Sequence, residues 1–573
     1  MLPEHMVPSK FVFLDQFPLT STGKLDRRAL REEHPLVRTR QRPKTETETL
    51  LAGIWGEVFR LPEIDRDDNF FGLGGDSLMA AVIAARVYDR IKVELNLAMF
   101  ADHPSLAQLA CVVDRLRAEP ADAEPPLVPL LRDAPLPLSF AQERVWKFSR
   151  APSQATAYVT TRTFRIVGPL DIEIMASCMD DLARRHELRT TFSLEGDRPV
   201  QIVHPPRPTQ LRYVDLAGTE DPESQASRLF EDEVPHTADL ERGPLLRFVI
   251  VRLRHDEYQL LRTSHHIIAD NISWVMYFQQ LAELYRARTR GEPSPWQDKP
   301  ALQYADYAVW QRKLADRSGP VFQRSLAWWK RNLSGAPRGQ SLPFERPSAV
   351  TGVVAADGVL TWRLDRQISS KLNAFAAAQS TTRPMVRLAA FAALLADEGK
   401  PDVVIGMYMT GRTRLPLQGI FGDFSNLTTL RLRFDPAKSF VEWLALVRDQ
   451  VVSVESHSTI PYEELREALE EDGVSVPEIK VIFHVSLPGR PIELGDARLL
   501  WMGRKYERIP WGFTLDYEEE NDRHDGHVLF DARIYDPSGV RRFAERYQRM
   551  LIAVSRHPDK TLDALLATNR QTD

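Results

Sequence analysis

Residues 259–285 read QLLRTSHHIIADNISWVMYFQQLAELY, and this stretch decides which kind of fold the chain adopts. Its first residues are typical of a strand, whereas the apolar residues after Asp270 recur at helical spacing. His265, His266 and Asp270 therefore lie at a strand-to-helix turn, where folds often present functional side chains. Strand-like and helix-like runs alternate on both sides of this stretch, which predicts an α/β layered fold for the large C-terminal part.

The two histidines and the aspartate are candidates for acid–base chemistry. Adjacent strand residues point to opposite faces, so only one histidine can face a given cavity. A neutral imidazole can take a proton from an attacking amine near neutral pH. Asp270 either orients this imidazole or is held by an arginine and shapes the turn. Two neighbouring histidines cannot converge on one ion, so we expect no metal site, and the spacing alone is more often structural than catalytic.

Proline-rich and charged stretches at residues 33–47 and 118–137 are typical of linkers and divide the chain. Between them, apolar residues at helical spacing predict a small bundle of about four helices. A further stretch of this kind, at 335–352, lies inside the large C-terminal part, which is too long for one core. We therefore expect that part to form two lobes.

Ser77 follows a Gly74–Gly75 turn in DNFFGLGGDSLMA, residues 68–80. A hydroxyl at the start of a helix lies near the positive end of the helix dipole, which suits the attachment or binding of a phosphate. The alternative is that Ser77 only caps the helix. Nucleophilic catalysis is not supported, because Met79 breaks the G-x-S-x-G pattern and no base is near.

Composition excludes several classes of protein. The 573 residues include 74 Lys and Arg against 79 Asp and Glu, a net charge of −5, which is unlike a nucleic-acid-binding protein. Two cysteines exclude a disulfide scaffold and a Cys-rich metal site. No apolar run approaches the roughly 18 residues of a membrane span, and the first residues lack a signal-peptide core. We expect a cytoplasmic monomer without membrane or nucleic-acid partners.

The motif around Ser77, with the helices that run to CVVDRL at 111–116, closely resembles a peptidyl carrier protein of non-ribosomal peptide synthetases. The resemblance implies a carrier domain at 45–117, a linker at 118–134, and 4′-phosphopantetheine attached covalently to Ser77. It also implies a phosphopantetheinyl transferase as a partner.

PLTSTGKLDRRAL, residues 18–30, resembles the C-terminal end of an adenylation domain of the same enzymes. Residues 1–33 would then be a remnant of that domain, and an upstream adenylation domain would be a partner. Lys24 matches the lysine that contacts the acyl-adenylate in that family. The main catalytic body is absent from this sequence, so we expect Lys24 to be idle.

Several further motifs occur in the order found in the condensation domain of non-ribosomal peptide synthetases, which residues 135–565 resemble. They are LPLSFAQERVWKF (136–148), RRHELRTTF (184–192), SHHIIADNIS (264–273), YADYAVWQ (304–311), SLAWWKRNLSGAP (325–337), IFGDFSNLTTLRLRF (420–434) and HSTIPYEEL (457–465). The resemblance implies two lobes, each like chloramphenicol acetyltransferase, arranged in a V. The N-lobe would cover about 135–308 and the C-lobe about 309–565, with the site in a tunnel between them.

The same resemblance implies roles for single residues. His266 matches the catalytic histidine, as general base or as the group that positions the amine, and His265 matches the usually structural first histidine. Asp270 matches an aspartate that pairs with an arginine, for which we expect Arg189. Asn271 replaces the glycine of the family motif, and we expect it to tolerate left-handed backbone there. RHELRTTF is one residue shorter than the family pattern.

The implied reaction is the transfer of a carrier-bound acyl or peptidyl group to the amine of an aminoacyl group on a downstream carrier. Tyr408 and Trp511 are candidate tunnel residues. A cyclisation domain is excluded, because it has an aspartate where this chain has histidines. An epimerisation domain that inverts the carrier-bound residue is the alternative, since it shares the histidine motif. A domain that only docks carriers is the third hypothesis, against which the complete histidine–aspartate set argues.

Overall fold

The computed structural model describes residues 41–75, 77–93, 95, 97–117, 125–151, 155–296, 300–346, 358–398, 401–412, 414–486, 491–502, 512–520 and 523–570. The predicted adenylation remnant at 1–33, with Lys24, lies outside these residues, as does Trp511. In the part that is described, no helix is long and apolar enough to cross a membrane.

The N-terminal domain is a bundle of four helices, as the sequence predicts. The helices are α1 (Glu46–Phe59), α2 (Ser77–Ile91), α3 (Leu97–Asp102) and α4 (Leu106–Arg117). The Thr45 side chain accepts a hydrogen bond from the Glu48 amide and so begins α1. Trp55 and Phe70 are fully buried at the centre of the bundle, with their rings edge to face.

The rest of the chain forms two α/β lobes. The first lobe contains β1 (Leu136–Pro137), α5 (Phe140–Ser149), β2 (Val159–Val167), α6 (Ile172–Arg185), β3 (Thr190–Glu195), β4 (Arg198–Val203), β5 (Gln210–Asp215), α7 (Pro222–Glu233), β6 (Leu246–Arg254), β7 (Glu257–His265) and α8 (Asn271–Thr289). Two helices follow, α9 (Tyr304–Leu314) and α10 (Pro320–Leu333).

The C-terminal half of the chain, which forms the second lobe except for β12 and β13, begins with β8. Its elements are β8 (Gly358–Arg363), α11 (Arg366–Ala378), α12 (Arg383–Glu398), β9 (Asp402–Thr410), α13 (Leu415–Gln418), β10 (Ser425–Arg433), α14 (Phe440–Ser456), α15 (Tyr462–Glu471), β11 (Val481–Ser486), β12 (Ile492–Leu494), β13 (Ala497–Trp501), β14 (Phe513–Glu520), β15 (Arg523–Phe530), α16 (Pro537–Arg556) and α17 (Leu562–Arg570).

Each lobe is built on a six-stranded sheet. The N-lobe sheet has the order β12-β13-β2-β7-β6-β5 and the C-lobe sheet the order β10-β9-β11-β14-β15-β8, while β1, β4 and β3 form a small third sheet. The apolar helix α12 fills the C-lobe core, where Leu388–Leu395 are almost completely buried.

The C-terminal half of the chain contributes two strands to the N-lobe sheet, which the sequence did not predict. Strands β12 and β13 come from the C-terminal half of the chain but join the N-lobe sheet, where β13 pairs antiparallel with β2. Leu494, Ala497 and Leu499 are buried in the N-lobe core. A division of the chain into contiguous lobes at 135–308 and 309–565 therefore does not describe the N-lobe completely.

Candidate active site

The turn that carries the predicted site residues is formed by the end of β7 and the start of α8. β7 ends at His265, a short 3-10 turn covers His266–Ile268, and Asp270 caps α8 by accepting a hydrogen bond of 2.7 Å from the Ser273 amide. The apolar residues Ile267 and Ile268 are buried and hold the turn in place.

His265 is fully buried and lies outside the cavity described below. Its Nδ1 accepts a hydrogen bond of 3.3 Å from the Ile267 amide, and its Nε2 lies 3.4 Å from Ser149 Oγ. Burial, and secondarily the charge of His266, lower its pKa to about 3. His265 therefore remains neutral, and its contacts are those of a structural residue.

His266 faces the interior cavity and is paired with a carboxylate. Its Nδ1 lies 3.3 Å from Oδ2 of Asp423, whose side chain is completely buried. Within the described residues neither atom has a hydrogen-bond partner elsewhere. Burial is the largest influence on the imidazole and opposes its charged form, but the attraction of Asp423 outweighs it and raises the pKa of His266.

Asp423 is held as an ionised group. Its Oδ1 accepts hydrogen bonds from the amide and hydroxyl of Ser425, and Arg144, which pairs with Glu463 at 2.6 Å, lies nearby. Burial opposes ionisation, yet the charges of His266 and Arg144 lower the pKa of Asp423. Asp423 lies within the IFGDFSN motif, but no role was predicted for it from the sequence. The sequence feature that could have identified Asp423 is an acidic residue in an otherwise apolar segment.

The arginine that pairs with Asp270 is Arg412, not Arg189 as predicted. Arg412 Nη2 lies 3.2 and 3.3 Å from the two carboxylate oxygens of Asp270 and 2.7 Å from Ser273 Oγ. Arg189 instead donates to the carbonyls of His204 and Arg184. The prediction was wrong because sequence order cannot show that Arg412 and Asp270, 142 residues apart, meet across the lobes.

Asp270 therefore does not contact the imidazole but fastens the turn to the C-lobe. Its Oδ2 accepts from the Phe424 amide at 3.2 Å, and its own amide donates to the Gly422 carbonyl at 3.1 Å. Gly422 is required here, because a Cβ would lie 1.7 Å from the Tyr304 ring. Asn271 is the first residue of α8 and does not have positive φ, so the expected left-handed conformation is not needed.

One cavity of about 1450 Å³ joins His266 to both lobes and to the helical bundle. Asp270, Tyr158 and the predicted Tyr408 also line it. From the bundle, Leu73, Gly74, Gly75 and Met79 line the same cavity, on either side of Ser77 in the sequence. The start of α2 thus opens into the space that contains His266.

The helical bundle packs against the C-lobe beside this cavity. Helix α2 packs against α13, and α3 packs against α14. Gln418 Nε2 donates to the Ala81 carbonyl at 3.4 Å, and the Arg414 guanidinium lies 4.8 Å from the Tyr88 ring and 4.9 Å from the Trp310 ring. A long flexible group attached at the start of α2 would lie beside this cavity.

Comparison with known proteins agrees with both domains. Residues 133–573 match the family model for the condensation domain, and residues 49–112 match that for the phosphopantetheine attachment site. One of the linear gramicidin synthase proteins of Brevibacillus parabrevis is 34% identical over 98% of this chain, which spans only 7% of that protein's length.

Solved structures show the same architecture. The X-domain from teicoplanin biosynthesis is 26% identical, with a TM-score of 0.66 over 76% of this chain and 99% of that one. The first condensation domain of the calcium-dependent antibiotic synthetase, in complex with a substrate analogue, is 23% identical, with a TM-score of 0.65 over 76% of this chain and 99% of that one, a likeness in fold. The chain therefore belongs to the condensation-domain family of non-ribosomal peptide synthetases and carries a phosphopantetheine attachment domain before its condensation domain.

Proposed function

We propose that this section of a synthetase transfers an acyl or peptidyl group from its own carrier, held at Ser77, to the amine of an aminoacyl group on a downstream carrier. One amide bond forms, and the carrier thiol is released. The observation that carries the proposal is that the start of α2 and His266 line the same cavity. A phosphopantetheinyl transferase and an upstream adenylation domain would prepare the carrier.

Ser77 would hold the phosphopantetheine group, which when bound supplies an activated thioester carbonyl. The protein's own part is alignment and proton handling. Because Nδ1 of His266 lies against Asp423, Nε2 is the ring nitrogen left to accept a proton from the amine. His266 thereby keeps the amine nucleophilic, and the negative charge of Asp423 stabilises the imidazolium that forms.

Two predicted residues, Asp270 and His265, and Arg412, which was not predicted, support this geometry without touching the reacting atoms. Asp270 and Arg412 hold the start of α8 against the C-lobe, so that the turn bearing His266 cannot move away from Asp423. His265 anchors the other end of the turn in the N-lobe core.

The test is a single-turnover reaction followed by intact-protein mass spectrometry. The full chain would be loaded at Ser77 with an acyl-pantetheine donor and mixed with a glycyl-loaded carrier. We expect the acyl mass to move to the glycyl carrier, and we expect His266→Ala to reduce the rate at least about a hundredfold. His255→Ala is the matched control, because that histidine is exposed on the surface.

Two outcomes would contradict the proposal. Undiminished transfer by His266→Ala would exclude its role in proton handling. Absence of transfer, together with exchange of the donor's α-proton in deuterated water, would identify an epimerisation domain instead.

A further inference from the structure

Glu455 is a carboxylic acid in the cavity wall that the proposed chemistry does not use. It lies one residue before the end of α14 and lines the same cavity as His266. Its Oε2 is buried and has no hydrogen-bond partner within the described residues. Burial raises the pKa of Glu455 to about 7, and in the described part of the chain no charged side chain offsets this effect.

Apolar and adaptable side chains line the same cavity as Glu455. Met407 and Met409 are alternate residues of β9 and so share one face of the sheet, the face that packs on the C-lobe helices. Val451 precedes Glu455 by one helical turn, and Met385 lines the cavity from α12. Methionine side chains fill irregular spaces and accept varied partners. These apolar side chains and the carboxyl group of Glu455 together suit an aliphatic stem that ends in a hydrogen-bond donor.

The position of Glu455 connects the carrier with the reaction centre. Helix α14 packs against α3 of the carrier. Just beyond the end of α14, the Ser458 carbonyl accepts a hydrogen bond of 3.0 Å from Asn426, three residues after Asp423 in the sequence. Glu455 thus lies on a helix that contacts the carrier, close in sequence to a hydrogen bond with the segment that holds Asp423.

We propose that this region is the side-chain pocket for the donor residue and that Glu455 selects a donor whose aliphatic side chain ends in an amine. The proposal rests on the proposed transfer from the chain's own carrier. An ammonium group beside the Glu455 carboxyl group would form a charge-assisted hydrogen bond and stabilise the ionised form, whereas a methyl group would leave the carboxyl group without a partner.

The experiment compares two donors that differ only by the terminal amine, because norleucine has the lysine side chain without its nitrogen. The full chain would be loaded at Ser77 with N-acetyl-lysyl- or N-acetyl-norleucyl-pantetheine, and single-turnover transfer to a glycyl-loaded carrier would be measured. We expect the wild type to transfer the lysyl donor roughly tenfold faster or more. Glu455→Gln should lose most of this preference and Glu455→Leu should reverse it, whereas the control Glu283→Gln, another cavity-lining glutamate, should retain it.

A second readout does not depend on transfer. The same donors would be attached through a stable amide in place of the thioester, and the thermal unfolding of the loaded chain would be measured. We expect a higher Tm with the lysyl than with the norleucyl group in the wild type and no difference in Glu455→Gln. If this Tm difference is present but no donor is transferred, recognition of the donor side chain by Glu455 is supported and the proposed transfer function is contradicted.

The proposal is overturned if the wild type treats the two donors alike in both measurements. It is also overturned if the preference persists in Glu455→Gln and Glu455→Leu. Lysyl- and norleucyl-loaded acceptor carriers would be compared in the same way. A preference for the lysyl group on the acceptor, and not on the donor, would contradict the assignment of the pocket to the donor.

Discussion

The imidazole of His266 and the carboxylate of Asp423 shift each other's pKa in opposite directions, upward for His266 and downward for Asp423. A base works only in its deprotonated form, so the rate of transfer should rise as pH rises through the raised pKa of His266. The paired carboxylate thus makes the imidazole a stronger base and moves the pH at which it becomes active upward.

Asp423→Asn tests this pairing. Without the carboxylate charge, the pKa of His266 should fall, so the acidic limb of the pH–rate profile should move to lower pH. The maximal rate should fall roughly 10- to 100-fold, because the imidazolium loses its stabilising partner. The measurement is the single-turnover rate between about pH 5.5 and 9.

Asp516→Asn provides the matched control, since Asp516 contacts another cavity histidine, His484, at 2.9 Å. That variant should leave the position of the acidic limb unchanged. An identical profile for Asp423→Asn and the wild type would show that the pair has no part in the reaction.

The candidate residues that could be predicted are those that lie in short local motifs. Ser77 follows its glycine turn, and His265, His266 and Asp270 occupy one strand-to-helix turn, so their chemistry was visible along the chain. Asp423 and Arg412 could not be assigned, because their partners lie in the other lobe. Only the folded arrangement of the sheets brings them within contact distance.

The ion pair between Asp270 and Arg412 connects the start of α8 with the segment before β10. A single substitution can remove one partner and leave the other buried. Arg412→Ala would leave Asp270 buried without its cation, and we expect the free energy of unfolding to fall by about 3–5 kcal/mol. Arg189→Ala removes hydrogen bonds to two carbonyls only, and we expect a loss near 1 kcal/mol. Thermal and denaturant unfolding of the full chain would measure both.

Equal losses of unfolding free energy in the two variants would contradict the assignment of Arg412, rather than Arg189, as the partner of Asp270. Transfer activity in Arg412→Ala should fall as well, because the turn that carries His266 is no longer fastened to the C-lobe.

Helices and strands were predictable to different degrees. The four carrier helices and the alternation of strand and helix in the lobes follow from apolar periodicity. Strands β12 and β13 are short, and their place at the edge of the N-lobe sheet depends on β2, which lies far away in the sequence. Local periodicity contains no information about such a pairing.

In the whole molecule, the described part of the predicted linker is bound to the condensation domain. Arg132 forms ion pairs with Asp306 at 2.9 Å and with Glu187 at 3.1 Å, and the Pro125 carbonyl accepts from Trp310 Nε1 at 2.7 Å. Residues 125–134 of the predicted linker are therefore fixed along the condensation domain. The sequence predicted a linker long enough for movement but not which of its residues are held.

The contact between the carrier and the condensation domain should influence acyl transfer but not the loading of Ser77. Tyr88→Ala removes the carrier's ring from the Arg414 guanidinium, 4.8 Å away, a cation–π contact worth about 0.5–2 kcal/mol. If docking precedes transfer, single-turnover transfer from the chain's own carrier should slow roughly 2- to 30-fold. Loading of Ser77 by a phosphopantetheinyl transferase should proceed normally, because Tyr88 lies in the last turns of α2.

Tyr213→Ala, at an exposed position of the N-lobe, is the control. A Tyr88→Ala chain that loads and transfers like the wild type would show that the seated arrangement is not the one that reacts.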